Sequence, residues 1–120
     1  MNTRKIGADK EELAAQYLTE KGMQILEQNF RCRQGEIDLI GTHDGYLVFV
    51  EVKFRKSTTC GTALEAVTPV KQKRICAVSD YYRYSHHYRT DTAVRYDVLA
   101  IQDGEISWIQ NAFPHLDGGR

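Results

Sequence analysis

Between Gly35 and Arg55 the chain reads GEIDLIGTHDGYLVFVEVKFR, and it places two acids and a lysine at spacings that can do chemistry. Two apolar-alternating runs flank Asp44-Gly45, a dipeptide that favours a two-residue hairpin turn of type I′. Counting outward from that turn sets His43 against Tyr46, Asp38 against Glu51 and Glu36 against Lys53. Directly opposed side chains lie about 4.5–5.5 Å apart at Cβ, and like charges so placed destabilise a hairpin. A carboxylate pair held this close requires a cation. Asp38 and Glu51, with a carbonyl near Val52, are hard oxygen ligands of the kind Mg²⁺ and Mn²⁺ prefer. Lys53 shares the face of Glu51, so its ammonium can reach the substrate side of such an ion. There it could orient water or neutralise charge developing on a phosphate. Phosphodiester hydrolysis needs those services together. The plain alternative is a solvated strand face with a Glu36–Lys53 pair worth roughly a few tenths of a kcal/mol. An acid opposed across the turn on a partly apolar face favours the site.

The elements that position these groups follow from periodicity. Residues 9–21 read as a helix, with Leu13, Ala14, Tyr17 and Leu18 on one face and Gly22 ending it. Glu11 rides the same stripe, near the helix start. It is either a cap-like group favoured by the helix dipole or a metal ligand. Residues 23–31 predict a first strand, and 36–41 with 46–55 the hairpin. Residues 56–67 predict a loop with a short helical turn. Thr68-Pro69 is a cap residue followed by proline at the first helical position, which starts a helix running to about residue 86. Val94–Ile101 and Ile106–Ile109 are strands around a second turn pair, Asp103-Gly104. The order αβββαββ predicts an α/β fold, a mixed sheet with helices covering both sides.

Within the hairpin, period two puts Ile37, Leu39, Val48, Val50, Val52 and Phe54 on one wholly apolar face, which must be buried. The other face carries Glu36, Asp38, Ile40, Leu47, Phe49, Glu51 and Lys53. Its turn-proximal half is apolar and its far half ionisable. Something must therefore pack over Ile40, Leu47 and Phe49 and stop short of the charges, leaving a cleft with a dry floor and a charged wall.

Bulk properties narrow the functional class. With 120 residues the chain reads as one domain spanning 1–120, its core about 7–113. No apolar run approaches the roughly 18–20 residues of a membrane span, and MNTRKIGADKEE lacks a signal-peptide core. Cys32, Cys60 and Cys76 are odd in number, widely spaced and in no metal-binding pattern, which fits reduced thiols in the cytoplasm. Sixteen basic residues balance sixteen acidic ones, which argues against a dedicated tight non-specific nucleic-acid binder. A local patch is still available: Arg31, Arg33, Arg55, Lys56, Lys71, Lys73 and Arg74 can form a phosphate-facing rim, although Lys73 or Arg74 taken singly reads better as solvated charge. Tyr81, Tyr82, Tyr84 and Tyr88 interleave with Arg83 and Arg89, a pattern that suits base stacking, but tyrosines at helical spacing more often pack in the core and its rim. Adjacent His86 and His87 point apart and make a poor metal pair.

The strings GEIDLI, VFVEVKFR, GTALEAVTPVKQKRI, YDVLAI and ISWIQNAF, in this order, resemble the YraN family, a bacterial group of small endonuclease-like proteins. The resemblance covers about Gly7 to Phe113. It implies similarity to archaeal Holliday junction resolvases and a restriction-endonuclease-like fold with a PD-(D/E)xK site that uses Mg²⁺ or Mn²⁺. The motif then falls on Asp38, Glu51 and Lys53. The family's helical acid falls on Glu11 with Ala14, and the glutamine of its KQ pair on Gln72. Where the family usually has glycine before the helical acid, this chain has Lys10, which removes a close backbone approach and adds a possible phosphate contact.

Two functional classes are thus expected. One is a metal-dependent nuclease acting on DNA, with branched or structured DNA as the expected substrate, as a homodimer, because two symmetric cuts need two sites. The other is a non-catalytic nucleic-acid or protein-interaction module on the same scaffold. RNA as substrate is a variant of the first.

Overall fold

The computed structural model describes residues 3–55, 65 and 67–116, with backbone alone for residues 3–10. The expected loop at 56–67 lies almost wholly outside the described residues. The elements are α1 (Thr3–Glu20), β1 (Gln24–Cys32), β2 (Gly35–His43), β3 (Tyr46–Arg55), α2 (Pro69–Ser85), β4 (Val94–Gln102) and β5 (Glu105–Ile109). The five strands form one sheet in the order β1-β2-β3-β4-β5. All neighbours are antiparallel except β3 and β4, which run parallel with α2 as the crossover. This is the mixed α/β architecture, in the order αβββαββ, expected of a restriction-endonuclease-like fold.

Local chemistry explains most boundaries. Asp44 and Gly45 both take positive φ, 51° and 81°, as a type I′ turn requires, and Asp103-Gly104 repeats the device at 53° and 79°. Thr68 caps α2, its hydroxyl accepting from the Lys71 N–H at 3.3 Å, and Pro69 follows at the first helical position. Helix α1 starts six residues before the expected position. Residues 3–8 contain no proline, and a mid-helix Gly7 costs only about 1 kcal/mol. Leu13, expected on the buried stripe, is 45% exposed, and the inward face is Ala14, Ala15 and Leu18 instead.

Each helix covers one face of the sheet. Under α1, Ala14, Ala15 and Leu18 join Met23, Leu39, Val48, Val50 and Leu99. Under α2, Ile75, Cys76, Val78 and Tyr82 join Ile40, Leu47, Phe49, Tyr96 and Val98. Helix α2 is therefore what packs over Ile40, Leu47 and Phe49. Strict alternation fails at two expected positions. Ile37 joins the α2 side rather than the Leu39 side, and Phe54 is 40% exposed.

The reason for the first failure lies in the ladders. Pairing of β2 with β3 follows the counted register from His43↔Tyr46 only as far as Leu39↔Val50. Beyond it, β2 keeps its bonds to β1 as far as Cys32↔Gly35, while β3 keeps its bonds to β4 as far as Arg55↔Gln102. The sheet forks at Asp38. The expected ladder pairs Asp38↔Glu51 and Glu36↔Lys53 therefore do not form as backbone partners.

Candidate functional site

At the fork a side chain replaces the missing ladder. Asp38 Oδ2 accepts from the Val52 N–H at 2.7 Å, so a carboxylate serves a donor that a neighbouring strand's carbonyl would otherwise satisfy. The side chains of Asp38 and Glu51 are hydrogen-bonded to each other although their backbones are not paired. Burial, that hydrogen bond and the charge of Glu51 push the Asp38 carboxyl up to about 8. The Val52 N–H works in the opposite direction, and Glu11 adds a smaller upward push.

Two lysines answer this acidic pair. Lys53 Nζ lies 3.6 Å from Glu51 Oε2, and Lys71 Nζ, from the first turn of α2, forms a tight ion pair with the same oxygen. Glu51 is 8% exposed at its side chain and Lys71 37%. Burial and hydrogen bonding with Lys71 outweigh the attraction of Glu51 and hold the Lys53 ammonium below its usual range. For Lys71 burial works downward, yet hydrogen bonds to Glu51 and Lys53 and the charge of Glu51 prevail, and its pKa is raised. The two ammonium groups are therefore unlike, one easier to deprotonate and one harder.

These groups line a pocket of about 350 Å³ with Gly35, Glu36, Val52, Arg74 and Ile75. Gly35 has φ +147°, and a Cβ there would meet the Arg74 side chain at 3.0 Å. The absence of a side chain at this turn is what lets the stem of Arg74 lie against the backbone at the pocket wall.

The other expected residues divide. Glu11 is half-buried and accepts from Asn29 Nδ2 at 2.6 Å. With α1 beginning at Thr3, Glu11 sits beyond the first turn, where the helix dipole has faded, so the cap-like reading does not apply. Gln72 donates its amide to the Val67 carbonyl at 3.0 Å and does not line the pocket. Glu36 pairs with Arg31 at 2.8 Å, on the exposed surface, and not with Lys53. Arg33 is exposed in the β1–β2 turn, and Arg55 ends β3 opposite Gln102. Lys56 and the Lys10 side chain lie outside the described residues. Of the tyrosines, Tyr82 is core and Tyr84 is 83% exposed. His86 stacks on Tyr82 with ring centroids 4.0 Å apart.

Sequence reasoning placed Lys71 on the rim, whereas it binds Glu51 directly, and it set Arg74 aside. The i, i+3 spacing of Lys71 and Arg74 was the available signal, since it puts both on one helix face. Among the described residues no three His, Cys, Asp or Glu side chains form a metal-holding cluster. Asp38 and Glu51 suit an ion that takes one or two carboxylates and keeps several waters, as Mg²⁺ does.

Fold and pocket together define a small α/β protein with a carboxylate–lysine pocket at the fork of its sheet. The chain belongs to the family described as "Uncharacterised protein family UPF0102", which it matches over residues 10–101. A "UPF0102 protein" of Lachnoclostridium phytofermentans is 46% identical over 113 residues, covering 94% of this chain and 96% of that one. Those of Saccharophagus degradans and Rhodococcus opacus are 42% and 46% identical, covering 89% and 90% of this chain and 91% and 95% of their own. Among the described residues no helix is long and apolar enough to cross a membrane.

Proposed function

We infer that this protein is a metal-dependent nuclease of the YraN, PD-(D/E)xK type, hydrolysing phosphodiester bonds in cytoplasmic DNA. The observation that carries the reading is Asp38, its carboxyl pushed up to about 8, pressed against Glu51 in a pocket that also holds two ammonium groups. Carboxylates forced together, where a satisfied carboxylate would be more stable, are the mark of a site built to bind a cation.

Asp38 and Glu51 would hold Mg²⁺ or Mn²⁺, with Glu11 near enough to add to the field at Asp38. When bound, such an ion supplies a Lewis acid for the phosphate and lowers the pKa of attacking water. Lys53 points its ammonium at the same oxygen cluster, where it orients the water and meets charge developing on the phosphate. Lys71 and Arg74 on the pocket wall, with Arg31 and Arg33 at the adjoining turn, offer cations to the flanking backbone phosphates. A single small domain reads little sequence directly, so shape, such as a branch point, is the expected determinant. Symmetric cutting would use a homodimer.

The test is nicking of supercoiled and branched DNA by the purified protein in Mg²⁺ or Mn²⁺. Activity is expected in wild type and lost in Asp38→Ala, Glu51→Ala and Lys53→Ala. Nicking that survives Asp38→Ala refutes this assignment of the site. Binding retained in all three variants, with no divalent-dependent cleavage in wild type, identifies the interaction module instead.

A further inference from the structure

One oxygen, Glu51 Oε2, faces two ammonium groups, which compete for it with any divalent ion. A magnesium-sized ion bonds carboxylate oxygen at about 2.0–2.1 Å, and a charge-assisted N–H···O bond along the same lone pair excludes it. An ion that takes that lone pair displaces the lysine holding it. Lys53 stands off at 3.6 Å and comes from β3, the strand that bears Glu51 itself. Lys71 makes the tighter contact and comes from a different element, the first turn of α2. Its backbone is fixed there by the Thr68 cap, while its four-carbon stem is free to rotate and its side chain is 37% exposed. The pocket wall one helical turn on, at Arg74, borders solvent.

We propose that Lys71 is an internal counter-ion, occupying the cation position beside Glu51 until a divalent ion displaces it toward the pocket mouth. This rests on the metal site proposed above and adds to it a built-in competitor. The apparent metal affinity is then the intrinsic affinity scaled by the fraction of molecules in which Lys71 has left Glu51. If that fraction is about one tenth, affinity is weakened about tenfold.

Calorimetric titration of the full chain with Mn²⁺ tests this. Lys71→Gln is expected to bind about tenfold tighter than wild type. Lys73→Gln, which removes an exposed charge two residues along the same helix, is expected to bind as wild type does. A second readout needs no variant: acetylation of wild type by a brief pulse of acetic anhydride, followed by mass spectrometry. Lys71 modification should rise on saturating Mg²⁺ while Lys73 stays constant. Unchanged or weaker affinity in Lys71→Gln, an equal gain in Lys73→Gln, or Lys71 labelling indifferent to Mg²⁺ overturns the proposal. Failure of both wild type and Lys71→Gln to take up Mn²⁺ overturns the metal site beneath it, whereas equal uptake by both overturns the counter-ion alone.

Discussion

Two carboxylates in the sheet, Asp38 on β2 and Asp97 on β4, receive opposite treatment. Asp97 is 1% exposed and fully served. Arg95 grips it through Nε and Nη2 at 2.9 and 2.8 Å, Trp108 Nε1 donates at 2.8 Å and the Asn111 N–H at 2.9 Å. Arg95 is itself held by His43 at 3.0 Å and lies over the rings of Tyr46 and Trp108. Asp38 has one backbone donor and lies against Glu51, with the lysines of the pocket paired to Glu51 rather than to it. A buried carboxylate ringed by donors locks a structure in place. One left among like charges costs stability, and proteins keep such a cost where it serves a function.

That contrast can be broken most forcefully through activity. Lys53→Ala is expected to lower divalent-dependent DNA nicking by at least about 100-fold, whereas Trp108→Phe, which trims only one donor from Asp97, should leave the nicking rate of folded protein near wild type. A comparable loss in both would erase the distinction between the two regions. Next in size is Asp97→Asn, which strands the Arg95 charge in the interior. It should cost about 3–5 kcal/mol in urea unfolding, with a shift in the emission of Trp108, the one tryptophan.

Asp38→Asn should change stability in the other direction. The carboxyl sits at 3.8 in its ordinary state and at about 8 in the folded protein, so the folded state holds the extra proton between those values. The associated stability is intact below about pH 4 and is lost as pH rises through 8. An amide cannot ionise, so thermal melts of Asp38→Asn should gain on wild type progressively from pH 4 to 8. The gain should level off above pH 8, at no more than about 6 kcal/mol, while metal uptake falls. A variant less stable than wild type at pH 8.5 would show that Asp38 is structural like Asp97. The smallest effect is expected from Thr68→Ala, about 1 kcal/mol by chemical denaturation, through loss of the α2 cap and without change in Trp108 emission.

Much of this was legible in residue order. Asp44-Gly45 announced its turn, and its φ values follow from the need for left-handed backbone at both positions. Thr68-Pro69 announced the start of α2, and the seven elements came in the expected order. The apolar half of the hairpin face that bears Glu51 foretold an element packed over Ile40, Leu47 and Phe49, which is α2, but α2 does not stop short of the charges, since its Lys71 pairs with Glu51. Those signals are local, carried by residues within a turn or a strand of one another. Arg95 and Asp97 also share a strand face at period two, yet nothing nearby in sequence says that Trp108 and Asn111 will surround them. Glu11 looked like a helix-terminal group because the first turn of α1, from Thr3, carries no acidic residue to mark the true start.

The sequence by itself determined that Asp38 and Glu51 would approach each other, because the two-residue turn sets a register that holds as far as Leu39↔Val50, the pair next to them. Only the tertiary structure decided how they meet. The sheet forks because β2 stays with β1 while β3 stays with β4, and each allegiance depends on pairings with strands remote in the chain. The same is true of Lys71. Its place on α2 was written in Thr68-Pro69, but its position on Glu51 depends on where the crossover sets the helix down, and that is settled by the packing of Ile75, Val78 and Tyr82 against the sheet.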